Sequence, residues 1–122
     1  MKTYTDIVND FSQILDIRGM ECGVGWCDMI YRCLQKIDRL EPQHVTITQI
    51  GEKGGMVQIK YAFNYKEGEN CLWQIDKINE YIREAAEESL RTCEYCGKPG
   101  KFRNKEWRRV TCDECEDYYF GN

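Results

Sequence analysis

The stretch CEYCGKPGKFRNKEWRRVTCDEC, residues 93–115, sets two C-x-x-C pairs on either side of a basic segment. Cys93, Cys96, Cys112 and Cys115 give the spacing C-x2-C-x15-C-x2-C, which reads as a structural zinc site. Each pair lets two thiolates grip one ion from a tight turn. Two such turns complete a tetrahedron, and zinc held by four cysteines has no position open to substrate or water. Gly97 follows the second ligand, where a knuckle needs positive φ and backbone N–H groups aimed at sulfur. Residues 101–111, KFRNKEWRRVT, then read as a short hairpin crossing from one knuckle to the other. A redox pair or an iron–sulfur cluster accounts for the hairpin-length insert less well. Iron in the same four-thiolate geometry is a further occupant that the spacing allows.

Working outward, the 122 residues suggest one compact domain with a small appendage. A metal staple on a short appendage suits a core of this size. Eight cysteines would mean a disulfide framework in a secreted chain. The N-terminal MKTYTDIVNDFSQIL, residues 1–15, carries acids and amphipathic spacing in place of the apolar centre of a signal peptide. No apolar run approaches bilayer length. The expectation is a cytoplasmic protein with no membrane partner.

Charge is unevenly spread. Residues 1–90 hold ten Lys/Arg and fifteen Asp/Glu, residues 91–110 seven basic and two acidic, and residues 111–122 four acids and no base. An acidic body thus carries a basic insert and an acidic tail.

Apolar spacing at Ile7, Phe11, Ile14 and Leu15 predicts a first helix over residues 5–17. Three glycines in RGMECGVG, residues 18–25, break it. Trp26, Met29, Ile30, Cys33, Leu34, Ile37 and Leu40 form one stripe of a second helix, which Glu41-Pro42 ends. VTITQI (residues 45–50), the turn GEKGG (51–55) and the alternating MVQIKYAFNY (56–65) predict a hairpin. It carries Val57, Ile59, Tyr61, Phe63 and Tyr65 on one face and Gln58, Lys60, Ala62 and Asn64 on the other. A loop over residues 66–70 leads, with Asn70 as N-cap, into a third helix from Cys71 to Thr92. Its buried side reads as Leu72, Ile75, Ile78, Ile82, Ala85 and Leu90, and it runs directly into Cys93. The predicted fold is α+β: a β-hairpin packed with three helices as the body, residues 1–92, plus a C-terminal four-cysteine zinc ribbon and acidic tail, residues 93–122.

Lys98, Lys101, Arg103, Lys105, Arg108 and Arg109, with Phe102 and Trp107 interleaved, form a candidate nucleic-acid or partner-binding surface. The same cations also offset the charge of four thiolates on a divalent ion and can pair with Asp113, Glu114, Glu116 and Asp117. Phe102 and Trp107 read as cover for the ribbon's small core, and Arg103, Arg108 and Arg109 as its outer edge. Elsewhere the signals are weak. Cys22, Cys27, Cys33 and Cys71 fit no compact knuckle. His44 stands alone. GEKGG lacks the remainder of a phosphate loop. Asp38, Glu52 and Lys60 can be combined into a nuclease centre only as almost any acidic sequence allows. No catalytic residues are assigned, and the expectation is a protein that is not an enzyme.

Three stretches carry a likeness. GWCDMIYRCLQKI (residues 25–37), VTITQIGEKGGMVQIKY (45–61) and AAEESLRTCEYCGKPG…W…TCDEC (85–115) follow in the order of a Gly-Trp helix, a strand–GG–strand block and a helix-to-ribbon junction. In this the chain resembles a family of small, mostly uncharacterised proteins from phages, prophages and bacteria. It departs from the family's Lys-Phe-Gly-Gly-Leu-Arg-Phe-Tyr pattern. Glu52-Lys53 precede the glycines without the Phe, and Met56-Val57-Gln58 stand where Leu-Arg-Phe is usual. The resemblance implies the ribbon, a phage-like or bacterial setting and a cytosolic location (the host bacterial cytosol for a phage protein), but no activity. In that setting the expected function is a non-enzymatic accessory protein that binds a host or phage protein. It would inhibit a defence or nucleic-acid-handling complex, in the anti-CRISPR or anti-restriction manner. The acidic body favours a basic target. The alternative is a zinc-ribbon regulator that binds DNA or RNA.

Overall fold

The computed structural model describes residues 1–40, 43–64 and 71–121. The expected helix stop at Glu41-Pro42, the strand position of Tyr65, the loop over 66–70 and the Asn70 cap lie outside the described residues. The architecture is α+β, with one three-stranded sheet, a separate two-stranded ribbon and four α-helices among the described residues.

Helix α1, Tyr4–Asp10, begins with a capping box in which Thr3 and Asp6 satisfy each other's backbone N–H groups. It ends well short of residue 17. The chain instead runs extended along the sheet. Ile47 N–H donates to the Ile14 carbonyl at 2.6 Å, and Asp16 N–H to the Ile47 carbonyl at 2.9 Å. Strand β1, Met20–Glu21, then pairs in parallel with Ile50 and Gly51 of strand β2, Val45–Lys53. Backbone groups at the open edge of β2 need partners. Residues 14–21 supply them, and this overrides the helical spacing of Ile14 and Leu15.

A 3-10 turn, Val24–Trp26, feeds α2, Cys27–Leu40. The stripe expected from the sequence is the buried one: Met29, Ile30, Cys33, Leu34 and Ile37, joined by Cys27, are all buried. The hairpin of β2 and β3, Met56–Phe63, is tighter than GEKGG suggested. Gly51 to Lys53 belong to β2, and the turn is Gly54-Gly55, with φ of 63° and 90°. Positive φ at both central residues is what a two-residue turn matching strand twist demands, and glycine meets it without strain. A bulge at Ile47–Gln49 breaks the alternation of β2, so Val45, Ile47 and Ile50 all face the core. On β3, Val57 and Ile59 are buried, Tyr61 and Phe63 pack at the core margin, and Lys60, Ala62 and Asn64 are exposed.

Helix α3, Leu72–Ser89, packs against α2 and β3. Its buried line is Ile78, Ala85 and Ser89, with Tyr81 and Ile82 at the core margin. Leu72 and Leu90, expected inside, are exposed. The stripe ends instead on Ser89, whose hydroxyl accepts from the Val57 N–H at 3.1 Å and so caps a strand-edge donor. Arg32 pairs with Glu88, and Lys36 with Glu84 at 3.3 Å, across the outer surface of α2 and α3. The helix does not run directly into Cys93. Leu90, Arg91 and Thr92 close a turn by i−3 hydrogen bonds, which redirects the chain before Cys93.

Candidate metal centre and its surroundings

Two knuckles face each other across strands β4, Lys101–Arg103, and β5, Arg109–Thr111, which pair antiparallel. In the first knuckle, Cys93 N–H donates to the Lys98 carbonyl at 2.8 Å and Gly97 N–H to the Cys93 carbonyl at 3.0 Å. Gly97 has φ of 81°, as the sequence predicted. The second knuckle opens α4, Asp113–Phe120, where Cys112 is the N-cap and its sulfur accepts from Cys115 N–H. Four acids followed by Tyr118, Tyr119 and Phe120 give no apolar stripe at helical spacing, so this helix is not predicted from the sequence. It forms because the cap and the acids Asp113, Glu114 and Glu116 sit at its positive end.

The sulfurs of Cys93, Cys96, Cys112 and Cys115 all lie within 4.8 Å of one another. The Cys96 and Cys112 sulfurs are 3.6 Å apart, far beyond a disulfide bond. Four sulfurs about 2.3 Å from a central ion would sit about 3.8 Å apart. This group can therefore hold one metal ion. Burial raises the Cys93 thiol, but backbone N–H groups of Cys112, Cys96 and Tyr95 outweigh it and bring it down to about 7. Burial and neighbouring thiols push Cys96 and Cys115 up. Cys93 is thus poised as thiolate, while Cys96 and Cys115 would release their protons to a cation that offsets the crowding.

The first knuckle is seated on the body by a segment whose role the sequence did not disclose. Gly25 N–H donates to the Glu94 carbonyl at 2.7 Å, and Gly23 N–H to the Glu94 carboxylate at 2.9 Å. The fully buried Trp26 ring donates through Nε1 to the Thr92 carbonyl at 2.9 Å. A Cβ at Gly25 would lie 2.3 Å from the Cys93 carbonyl oxygen and 2.6 Å and 2.7 Å from the amide nitrogens of Gly97 and Cys96. The G-x-G-W spacing, residues 23–26, was the available signal. Two glycines before a Trp mark a close backbone approach, which neither the helix break nor the Gly-Trp of the resemblance conveys. The β2–β3 turn makes the second contact, for Phe102 and the backbone at Arg108 and Arg109 crowd Gly55.

The basic insert divides. Arg109, expected on the outer edge, is buried: it chelates Glu116, donates to the Trp107 carbonyl at 2.8 Å and lies 3.8 Å from the Phe120 ring centre. Its hydrogen bonds hold the Glu116 carboxyl down at about 2. Arg103 is also turned inward, onto Thr111 and, at 3.0 Å, Asp113. Lys98, Lys101 and Lys105 stand exposed, each 3.9 Å from an acid. Arg108 is exposed, with no ion pair among the described residues. The reason is α4, which brings Asp113 and Glu116 back over the ribbon. Phe102 and Trp107 do not cover a ribbon core; they are 42% and 61% exposed. That interior is filled by Val110 and Thr111.

These adjacent arginines make a sharp comparison. Arg109→Ala leaves Glu116 without its main partner and is expected to cost about 2 kcal/mol. Arg108→Ala is expected to stay within about 0.5 kcal/mol of wild type. Urea melts of the two variants check this, and equal effects would contradict the inward placement of Arg109.

The other cysteines do not gather. Among the described residues, the four ribbon cysteines form the one group of metal-binding side chains. Cys33 is buried, donates to the Tyr81 carbonyl and is pushed up to about 12 by burial. Lys60 lines an open groove of about 510 Å³ with Asp16, Arg18, Glu21, Thr48 and Gln49, a lining that includes neither Asp38 nor Glu52. No helix is long and apolar enough to cross a membrane among the described residues. No protein-family profile, curated protein or solved structure matches the chain.

Proposed function

We propose that the chain is a non-enzymatic binding protein whose ribbon, braced by one zinc ion, holds a protein-docking face in place. The observation that carries this reading is the exposure of Trp107, Tyr118 and Tyr119 together on the ribbon and α4, at 61%, 82% and 53%. Large apolar side chains gathered at solvent are a feature of interaction sites. Zinc is the ion of choice for four thiolates in a tetrahedron, and with all four positions filled it supplies structure without chemistry. In the phage-type setting that the resemblance implies, the partner is a host defence or nucleic-acid-handling complex, and the acidic body suits a basic one.

Nucleic-acid binding is the second reading, and the ion pairing of the insert weakens it. Residues 93–122 hold six basic and six acidic side chains. Four thiolates on a divalent ion add two negative charges. A phosphate backbone therefore meets no net positive field, which is the footprint such binders need.

Affinity purification of the tagged protein from bacterial lysate, with mass spectrometry, tests the first reading. A specific, stoichiometric protein partner is expected. Failure to recover one, together with substrate turnover by the isolated protein, would overturn it. A salt titration with DNA and RNA tests the second. Binding that falls steeply with salt and vanishes in Arg108→Glu would establish it in place of the first.

A further inference from the structure

Tyr95 and Tyr119 stack at 4.5 Å with an interplanar angle of 27°, and Tyr118 stands edge-on to Tyr119 at 4.8 Å. Phe120 completes the row, with its ring over Arg109 and edge-to-face with Trp107 at 5.5 Å. Each ring is held by its neighbours, yet the outer two, Tyr118 and Tyr119, keep more than half their surface at solvent. Binding there sacrifices little side-chain freedom, because the rings are already positioned.

The charge beside Tyr118 and Tyr119 along α4 is one-sided. Asp117 is exposed beside Tyr118, and the Glu114 side chain is 85% exposed, its ion pair with Lys98 stretched to 3.9 Å. The last turn of α4 carries no basic residue, so the negative end of its dipole is not offset by one. Arg109 lies beneath Phe120 and is taken up by Glu116, and the exposed Arg108 stands next to Trp107, the member of the row on the ribbon and not on α4. Aromatic faces beside a carboxylate and a helix C-terminus attract cations.

From this geometry we infer that the C-terminal half of α4 is a docking surface for a basic protein segment. An Arg or Lys side chain of the partner stacks on Tyr118 and Tyr119, with Asp117 accepting its hydrogen bonds. The inference rests on the protein-binding reading above and names the surface and the partner's chemistry.

The probe is a fluorescein-labelled oligo-arginine peptide, followed by anisotropy against the zinc-loaded full chain. Tyr118→Ala/Tyr119→Ala, which changes no charge, is expected to weaken binding roughly tenfold. Tyr118→Phe/Tyr119→Phe is expected to retain it, and amide NMR shifts on titration are expected to centre on residues 114–121. Metal content and melting temperature of both variants are checked against wild type, so that a loss of binding is not a loss of fold. Equal binding by the Ala variant, or shifts centred on the acidic body, would overturn the surface. A single-stranded oligonucleotide that binds and displaces the peptide would overturn it in favour of nucleic acid. If the partner recovered from lysate binds the Ala variant as well as wild type, the surface fails and the protein-binding reading stands.

Discussion

Cys93→Ser is expected to abolish stoichiometric metal binding and to unfold the ribbon. Wild type should carry about one zinc per chain, and the variant close to none. Cys93 is the fully buried member of the four-sulfur group and the thiol brought down to about 7 by backbone donors. A serine hydroxyl does not replace a thiolate there, since it holds its proton at neutral pH. Zinc contributes about 10–16 kcal/mol in small sites of this kind, against a total stability of about 5–15 kcal/mol for an ordinary domain. The ribbon's apolar interior is small, with Val110 the one buried aliphatic side chain among its described residues, flanked by Thr111 and the Arg109–Glu116 pair. The body should keep its fold, because Ile30, Leu34, Ile37, Ile47, Ile59 and Ile78 pack in a core that contains none of the four ligands. Elemental analysis and amide NMR check both halves of the expectation. A variant that retains one zinc and all ribbon resonances would show that Cys93 is not a ligand.

Gly25→Ala is expected to be the most damaging substitution outside the cysteines. The added Cβ meets three backbone atoms at 2.7 Å or less, and backbone cannot swing aside as a side chain can. Relief requires the first knuckle to lift from the 3-10 turn. That would strain the 2.7 Å bond from Gly25 to Glu94 and the nearby bond from Trp26 to Thr92. Overpacking of this kind costs about 3 kcal/mol, or roughly 12 °C of melting temperature for a chain of this length. Gly19→Ala is the control. Nothing lies within 4 Å of its Cβ position and its φ is not positive, so it should be neutral or slightly stabilising. Thermal melts of the zinc-loaded variants decide, and a Gly25→Ala protein as stable as Gly19→Ala would contradict the seating of the knuckle. Zinc affinity should weaken alongside, since Cys93, Cys96 and Gly97 all border the site of the clash.

What could be read in advance followed from local rules. The cysteine spacing marked the four residues whose sulfurs gather, because metal geometry leaves few alternatives for paired motifs. The stripe of α2 and the alternation of β3 were legible for the same reason: each is a period written in consecutive residues. Three features were not local. Ile14 and Leu15 fit a helix, but an unpaired strand edge far along the chain claimed their backbone. Arg103 and Arg109 looked like an outward-facing row until α4 placed Asp113 and Glu116 over them. The seat at Gly23 to Trp26 depends on a knuckle some seventy residues later. A sequence shows that glycines permit a close approach, but it does not say what approaches.

One atom would tie a bound metal ion to the proposed docking face. The sulfur of Cys112 is both a member of the four-sulfur cluster and the cap that starts α4. A helix of eight residues does not persist by itself in water. If the ion leaves, the cap loses its anchor and the turn bearing Tyr118 and Tyr119 has nothing to hold its shape. The recognition face would then exist only in metal-loaded molecules, and the free zinc of the surroundings would set how many copies are competent to bind.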